Sequence, residues 1–129
     1  MMEQAKRTVV AFDTNMLLNI KRFKIDVFAE AKKMLGEVEF IVPQQVVYEL
    51  EALGKKSMKI RKEAAIAREL MDKNGVKVKK NSFSSADEAL KKLALEAVVA
   101  TNDKALKDAV KELGGKVLEL RQRKYLEFG

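Results

Sequence analysis

Neither cysteine nor histidine occurs among the 129 residues, and proline occurs once. Without thiols there are no disulfides, thiolate nucleophiles or cysteine-type structural zinc. Without imidazole the commonest general base and transition-metal ligand is missing as well. Any chemistry must run on carboxylates, hydroxyls, amides and amines. Long apolar runs are also lacking. The first, Thr8-Val9-Val10-Ala11-Phe12, ends at Asp13. It is far shorter than the roughly 18 to 20 residues of a membrane helix and unlike a signal peptide. The expectation is a cytoplasmic protein with no membrane partner.

Hydrophobic residues make up 47% of the chain, enough to exclude disorder, and 129 residues suit one domain better than two. The sequence predicts a single domain over 1–129, with a core at about 8–120, a short solvated lead-in at Met1–Arg7 and a basic C-terminal tail at 121–129. Lysine and arginine number 26 against 19 acids, a formal charge of +7. Such a surplus favours a polyanionic partner, because neutralising phosphates releases counterions. Lysine-rich surfaces also serve solvation alone, so the acids must decide.

Short apolar runs recur at Phe40-Ile41-Val42, Val76–Lys79, Ala97–Thr101 and Lys116–Leu120, giving five strand candidates with the first. Val76–Lys79 alternates and reads as an edge strand. Between the runs lie helical patterns. One is capped by Asp26, one covers Gln44–Leu53, one runs from Lys55 to about Lys73, one begins near Ala86 behind a Ser85/Glu88 capping box, and one follows Asp103. Strands alternating with helices predict an α/β fold, a three-layer α/β/α sandwich with a central parallel five-stranded sheet. Lys21-Arg22-Phe23-Lys24 reads as a connecting loop with Phe23 packed inward. Lys55, Lys56 and Lys59 oppose the dipole of the helix they open. With Lys21 and Arg22 they are candidate contacts for an external polyanion, the plain alternative being a solvated face.

In that architecture Asp13 and Asp103 stand at the carboxyl ends of strands, and Glu49 and Asp87 in early helical turns after strands. All four are expected at one sheet edge, where α/β sheets bind ligands. Singly, each acid has an ordinary role as a cap or first-turn residue. Together they would repel one another unless a cation sat among them. Oxygen-only donors select Mg²⁺ or Mn²⁺, and metal-activated water is then the natural nucleophile, with the metal also stabilising charge on a phosphoryl oxygen.

Four pieces carry a resemblance: Phe-Asp-Thr-Asn at Asp13, Val46-Val47-Tyr48-Glu49-Leu50, Ser85-Ala86-Asp87-Glu88-Ala89-Leu90, and Val99 to Leu106 around Thr101-Asn102-Asp103. In this order and spacing, from about Thr8 to Leu120, the chain resembles the PIN-domain ribonucleases. Thr-Asn-Asp followed by Leu-Arg-Gln-Arg-Lys-Tyr-Leu resembles an archaeal branch near the ribosomal-RNA-processing PIN nucleases. The resemblance implies a metal-dependent endoribonuclease, with Asp13, Glu49, Asp87 and Asp103 as catalytic residues holding one or two Mg²⁺ or Mn²⁺ ions. Asn15 and Thr101 would orient water or ligands beside them. Asp108 is a candidate fifth acid, though a solvated-face role suits it better. The implied partners are single-stranded or structured RNA and a second copy in a homodimer, with an antitoxin or a ribosome-assembly partner as further candidates.

A haloacid-dehalogenase-like phosphatase expects an Asp where Asn15 stands, and a receiver domain expects an acceptor Asp where Pro43 follows Ile41-Val42. Two rivals keep the fold. One is a non-catalytic RNA-binding or ribosome-assembly scaffold, and the other is the ribonuclease toxin of a toxin–antitoxin pair.

Overall fold

In the computed structural model, which describes residues 7–129, the central apolar runs are strands covered on both faces, while Lys77–Lys79 is the exposed edge strand expected. Val10, Phe12, Phe40, Val42, Val98 and Ala100 enter one buried cluster; Ala11, Ile41 and Val99, one position out of step, enter another. Strand side chains alternate between faces, so a strand covered on both sides must be apolar almost continuously. Of the expected lead-in, all but Arg7 lies outside the described residues.

The chain runs β1 (Thr8–Phe12), α1 (Thr14–Arg22), α2 (Val27–Leu35), β2 (Val38–Pro43), α3 (Gln44–Gly54), α4 (Met58–Lys73), β3 (Lys77–Lys79), α5 (Ala86–Leu93), β4 (Val98–Ala100), α6 (Lys104–Glu112), β5 (Val117–Arg121) and β6 (Tyr125–Phe128). The sheet order is β3-β2-β1-β4-β5-β6. In its middle, Ala11 of β1 registers with Ile41 of β2 and Val99 of β4. Helices α1 to α4 cover one face through Leu17, Phe28, Leu50 and Ala67, and α5 and α6 cover the other through Leu90, Leu106 and Val110. The result is the expected three-layer sandwich. Among the described residues no helix is long and apolar enough to cross a membrane.

The predicted sheet needs correction. Five strands pair in parallel as expected, but a sixth, β6, adds an antiparallel edge with Leu120 opposite Leu126. Residues 121–129 are therefore largely sheet, and Leu126 is buried in the core. Their turn escaped notice because Gln122 and Arg123 take positive φ of 52° and 56° without glycine or asparagine, the residues that usually signal such a turn. It is closed by the Lys124 N–H donating to the Arg121 carbonyl at 3.0 Å, and the Arg123 guanidinium lies 4.9 Å over the Phe23 ring.

One helix, α1, stands where no helix is expected, and one boundary moves. Lys21 and Arg22 belong to the last turn of α1 and not to a loop, while Phe23, its C-cap, packs against the core as expected. α4 begins at Met58, because the Ser57 hydroxyl accepts the Ile60 N–H at 3.1 Å as its N-cap. Lys55 and Lys56 consequently lie in the preceding turn, and of the three lysines only Lys59 faces the helix dipole.

Candidate active site

The carboxyl ends of parallel strands share one edge, and the candidate site is built there from β1 and β4. Phe12 closes β1 and is fully buried. Its ring centroid lies 4.9 Å from that of Phe28 and 5.6 Å from that of Phe40. Asp13 thus leaves the sheet from a fixed point, and its N–H donates to the Ala100 carbonyl of β4 at 3.2 Å.

The Asp13 carboxylate is divided between two donors. Oδ1 accepts the Met16 N–H at 2.8 Å, which caps α1, and Oδ2 accepts the Thr101 hydroxyl. The Thr101 oxygen in turn accepts the Asp103 N–H at 3.0 Å, while Asp103 Oδ1 caps α6 by accepting the Leu106 N–H at 3.0 Å. A single hydroxyl therefore ties together the two strand-end acids. Asn102 pins the same loop to β5 by exchanging two bonds with the Leu120 backbone, at 2.9 and 2.7 Å.

Electrostatics joins the remaining acids to this pair. Removal of water from Asp13 pushes its pKa up to about 6; the Thr101 and Met16 bonds work against the rise, and the charges of Asp103 and Asp87 add to it. Glu49 is raised too, first by loss of water and then by the charge of Asp87, with the Thr14 hydroxyl opposing. Asp87 therefore acts on both Asp13 and Glu49. The four carboxylates form a chain of like charges in the order Asp103, Asp13, Asp87, Glu49. Asp87 and Glu49 are exposed, in the first turn of α5 and in α3. They line a cleft of about 510 Å³ with Gln45, Tyr48, Ser84, Ser85 and Ala86.

Thr14 is a site residue that carries no sequence signal beyond a hydroxyl directly after Asp13. Its Oγ1 is buried without a well-formed hydrogen-bond partner, and it is the hydroxyl felt by Glu49. A buried hydroxyl without a partner beside raised carboxylates leaves room for a polar guest. Among the described residues no three acids close on one point tightly enough to enclose an ion by themselves. Mg²⁺ does not need that. It keeps several waters and is commonly held by one or two carboxylates plus substrate phosphate. An oxygen-only donor set of paired, partly exposed acids fits Mg²⁺ or Mn²⁺ on those terms.

The other predicted residues scatter. Asn15 is exposed in the first turn of α1. Asp108 is exposed on α6 and is not among the charges that shift Asp13. Lys21, Lys55, Lys56 and Lys59 are exposed. Arg22 is committed elsewhere: its Nε donates to both oxygens of Glu63 at 3.0 Å, and Glu63 is only 2% exposed.

The fold and this edge of acids define a PIN-like α/β sandwich, and comparison with known proteins agrees. A family model described as PIN like domain matches residues 10–123. Ribonuclease VapC4 of Methanocaldococcus jannaschii is 32% identical over 121 residues, 90% of this chain and 92% of that protein. The structure of the PIN domain endonuclease Utp24 aligns with a TM-score of 0.76 at 22% identity, covering 93% of this chain and 90% of that one. A domain of a functionally unknown protein from Methanocaldococcus jannaschii aligns at 0.62 and 20% identity, covering 88% and 91%. At such identities the two structures speak for the fold. The chain belongs to the PIN-domain ribonuclease family.

Proposed function

We propose that this protein is a metal-dependent endoribonuclease that hydrolyses RNA phosphodiesters with water as the nucleophile. The observation that carries this reading is the run of carboxylates Asp103, Asp13, Asp87 and Glu49 along one sheet edge, in a protein without histidine or cysteine. Similarity to a ribonuclease over nearly the whole chain supports it.

Mg²⁺ or Mn²⁺ held by one or two of these acids at a time, with waters and substrate phosphate completing its shell, would supply an acidified water and offset charge on a phosphoryl oxygen. The chain's own part is positional. Asp13 is fixed by its two donors, and Thr101 sets Asp103 relative to it. Glu49 and Asp87, at the cleft, face the side from which substrate arrives, and Thr14 has a hydroxyl proton to offer there. The Asn15 amide is an exposed donor close to Asp13 in sequence. Lys21, Lys55, Lys56 and Lys59 are available to RNA phosphates, whereas Arg22 serves Glu63. Processing, decay and toxin roles share this chemistry, and the natural RNA and any protein partner separate them.

The test is cleavage of end-labelled single-stranded RNA with Mn²⁺, Mg²⁺ or EDTA, beside Asp13→Asn purified identically to exclude contaminating nucleases. Metal-dependent internal products that vanish in the variant are expected. Wild type and variant equally inert while RNA is still bound would move the scaffold reading ahead.

A further inference from the structure

We propose that the cleft beside Glu49 and Asp87 is a nucleoside subsite, in which Tyr48 stacks on an unpaired base next to the scissile phosphate. The proposal rests on the ribonuclease reading for the word scissile, but the binding it describes can be measured without cleavage.

Tyr48 is 60% exposed, more than any other aromatic among the described residues. Its ring is not spent on the core, which α3 reaches through Val46 and Leu50. It shares the cleft-lining face of α3 with Gln45 and Glu49, at the three- and four-residue spacing that stacks side chains along one side of a helix. An aromatic ring and a site carboxylate are thereby presented side by side from one rigid element.

The opposite wall is fixed to the same helix. Gln45 Nε2 donates to the Phe83 carbonyl at 2.7 Å and Gln44 Nε2 to the Asn81 carbonyl at 2.8 Å, while Asn81 Nδ2 donates back to Gln45 Oε1 at 3.0 Å. Beyond this clasp, Ser85 caps α5 by accepting the Glu88 N–H at 3.2 Å, and Asp87 follows two residues later. The helix that carries Tyr48 and the segment that leads to Asp87 are thus tied together, as a subsite needs.

The chemistry of the lining selects the guest. None of the seven lining residues is basic and two are acids, so the cleft does not attract a phosphate on its own. It offers a π face and two hydroxyls, the Gln45 amide being spent on the clasp. Ser84 Oγ donates to Glu88 Oε2 at 3.1 Å and so keeps lone pairs to accept, while Ser85 Oγ, an acceptor in its cap, keeps its proton to donate. Those groups match a base and a ribose with its 2′-hydroxyl. Stacking on Tyr48 would leave the attached phosphate beside Glu49 and Asp87. Since every base has a π face, the subsite should tolerate any base and require that it be unpaired.

The experiment measures binding of a fluorescein-labelled, unstructured single-stranded oligoribonucleotide by anisotropy in EDTA, with wild type, Tyr48→Ala and Tyr48→Phe, and cleavage of the same RNA with Mn²⁺. Tyr48→Ala should weaken binding by about 5- to 150-fold, the range of one base stack on an aromatic, and Tyr48→Phe should stay near wild type. Melting temperatures and the salt slope of binding should not change. A set of oligonucleotides with single abasic positions should contain one whose missing base costs wild type as much as Tyr48→Ala does, and costs the Ala variant nothing. Equal binding by wild type and Tyr48→Ala, equal losses at every abasic position, or no binding of single-stranded RNA by wild type would each overturn the subsite. Failure of wild type to cleave would instead count against the ribonuclease reading, and the binding arm would still decide Tyr48.

Discussion

Thr101, just beyond β4, donates its hydroxyl to Oδ2 of Asp13 across 88 residues of chain, and the same oxygen accepts the Asp103 N–H. Replacing it by valine keeps the shape but removes a donor to a buried carboxylate and leaves an N–H unpaired. Thr101→Val should raise the Asp13 pKa further above about 6, increasing its proton affinity about ten- to a hundredfold, and should cost about 1–3 kcal/mol of stability. Thr101→Ser should restore both properties. Carboxyl NMR titration of the metal-free protein reads the first effect and thermal unfolding the second. An unchanged Asp13 titration in Thr101→Val would remove Thr101 from its orienting role.

Asp13 also makes the metal-free protein sensitive to pH. Its pKa rises from 3.8 to about 6 on folding, chiefly through burial, so between these values the folded state holds more protons than the unfolded chain. Stability is then fully present below about pH 3.8 and is lost as pH rises through about 6, by roughly 3 kcal/mol for this one group. Asp13→Asn lacks that titration and retains a good N-cap. In EDTA it should gain stability relative to wild type as pH is raised from 4 to 7.5, by up to about 3 kcal/mol. Denaturant unfolding at several pH values measures the difference. A constant difference would mean that Asp13 is not strained by its charge.

The other acids separate activity from stability. Asp103 caps α6 through Oδ1, and asparagine caps as well as aspartate, so Asp103→Asn should melt within about 0.5 kcal/mol of wild type. Asp87 stands exposed in the first turn of α5, where neutralisation costs only a few tenths of a kcal/mol of dipole interaction. Both changes should nonetheless lower metal-dependent RNA cleavage by about 10²–10³-fold, the scale of losing one group that stabilises developing charge. Intact folding with unchanged cleavage in either variant would take that residue out of the site.

The residues show why some of this was legible beforehand and some was not. Ala97-Val98-Val99-Ala100 reads as a parallel strand because both its faces are buried, and period and composition record that directly. Glu49 and Asp87 could be placed at the edge because each sits a short, countable distance after a strand. The turn at Gln122-Arg123 could not be read, because its positive φ angles are carried by residues that do not advertise them. Nor could the fate of Arg22. A cation one position from Lys21 looks like another surface charge until α1 and α4 pack together and Glu63, distant in sequence, takes both its position and its role.

The Glu63 carboxylate is 2% exposed, with Arg22 Nε at 3.0 Å from both oxygens. Arg22→Ala would leave it charged and buried without a partner, costing about 2–4 kcal/mol; the lower part of the range applies because the Arg22 side chain is itself 33% exposed. The pair Arg22→Met with Glu63→Leu should recover most of that loss, since well-packed apolar side chains replace buried ion pairs at little cost. Thermal melts of the single and double variants decide. A mild loss in Arg22→Ala equal to that of exposed Lys21→Ala would return Arg22 to the candidate RNA contacts.

Lys55, Lys56 and Lys59 stand on the other side of that distinction, exposed around the turn that leads into α4. If they neutralise phosphates, each contributes about 0.7 to the slope of log affinity against log salt for single-stranded RNA. Replacing all three with glutamine should therefore weaken binding most at low salt and flatten the slope by about 2, with metal affinity untouched because none of them shifts Asp13 or Glu49. Arg22→Met with Glu63→Leu, measured alongside, should leave the slope where it is. The measurement is oligoribonucleotide affinity across a salt series in EDTA. A slope unchanged by the triple replacement would mean that these lysines only solvate the surface, and that the phosphate contacts must be sought at Lys21 and among the cations of the β5–β6 turn.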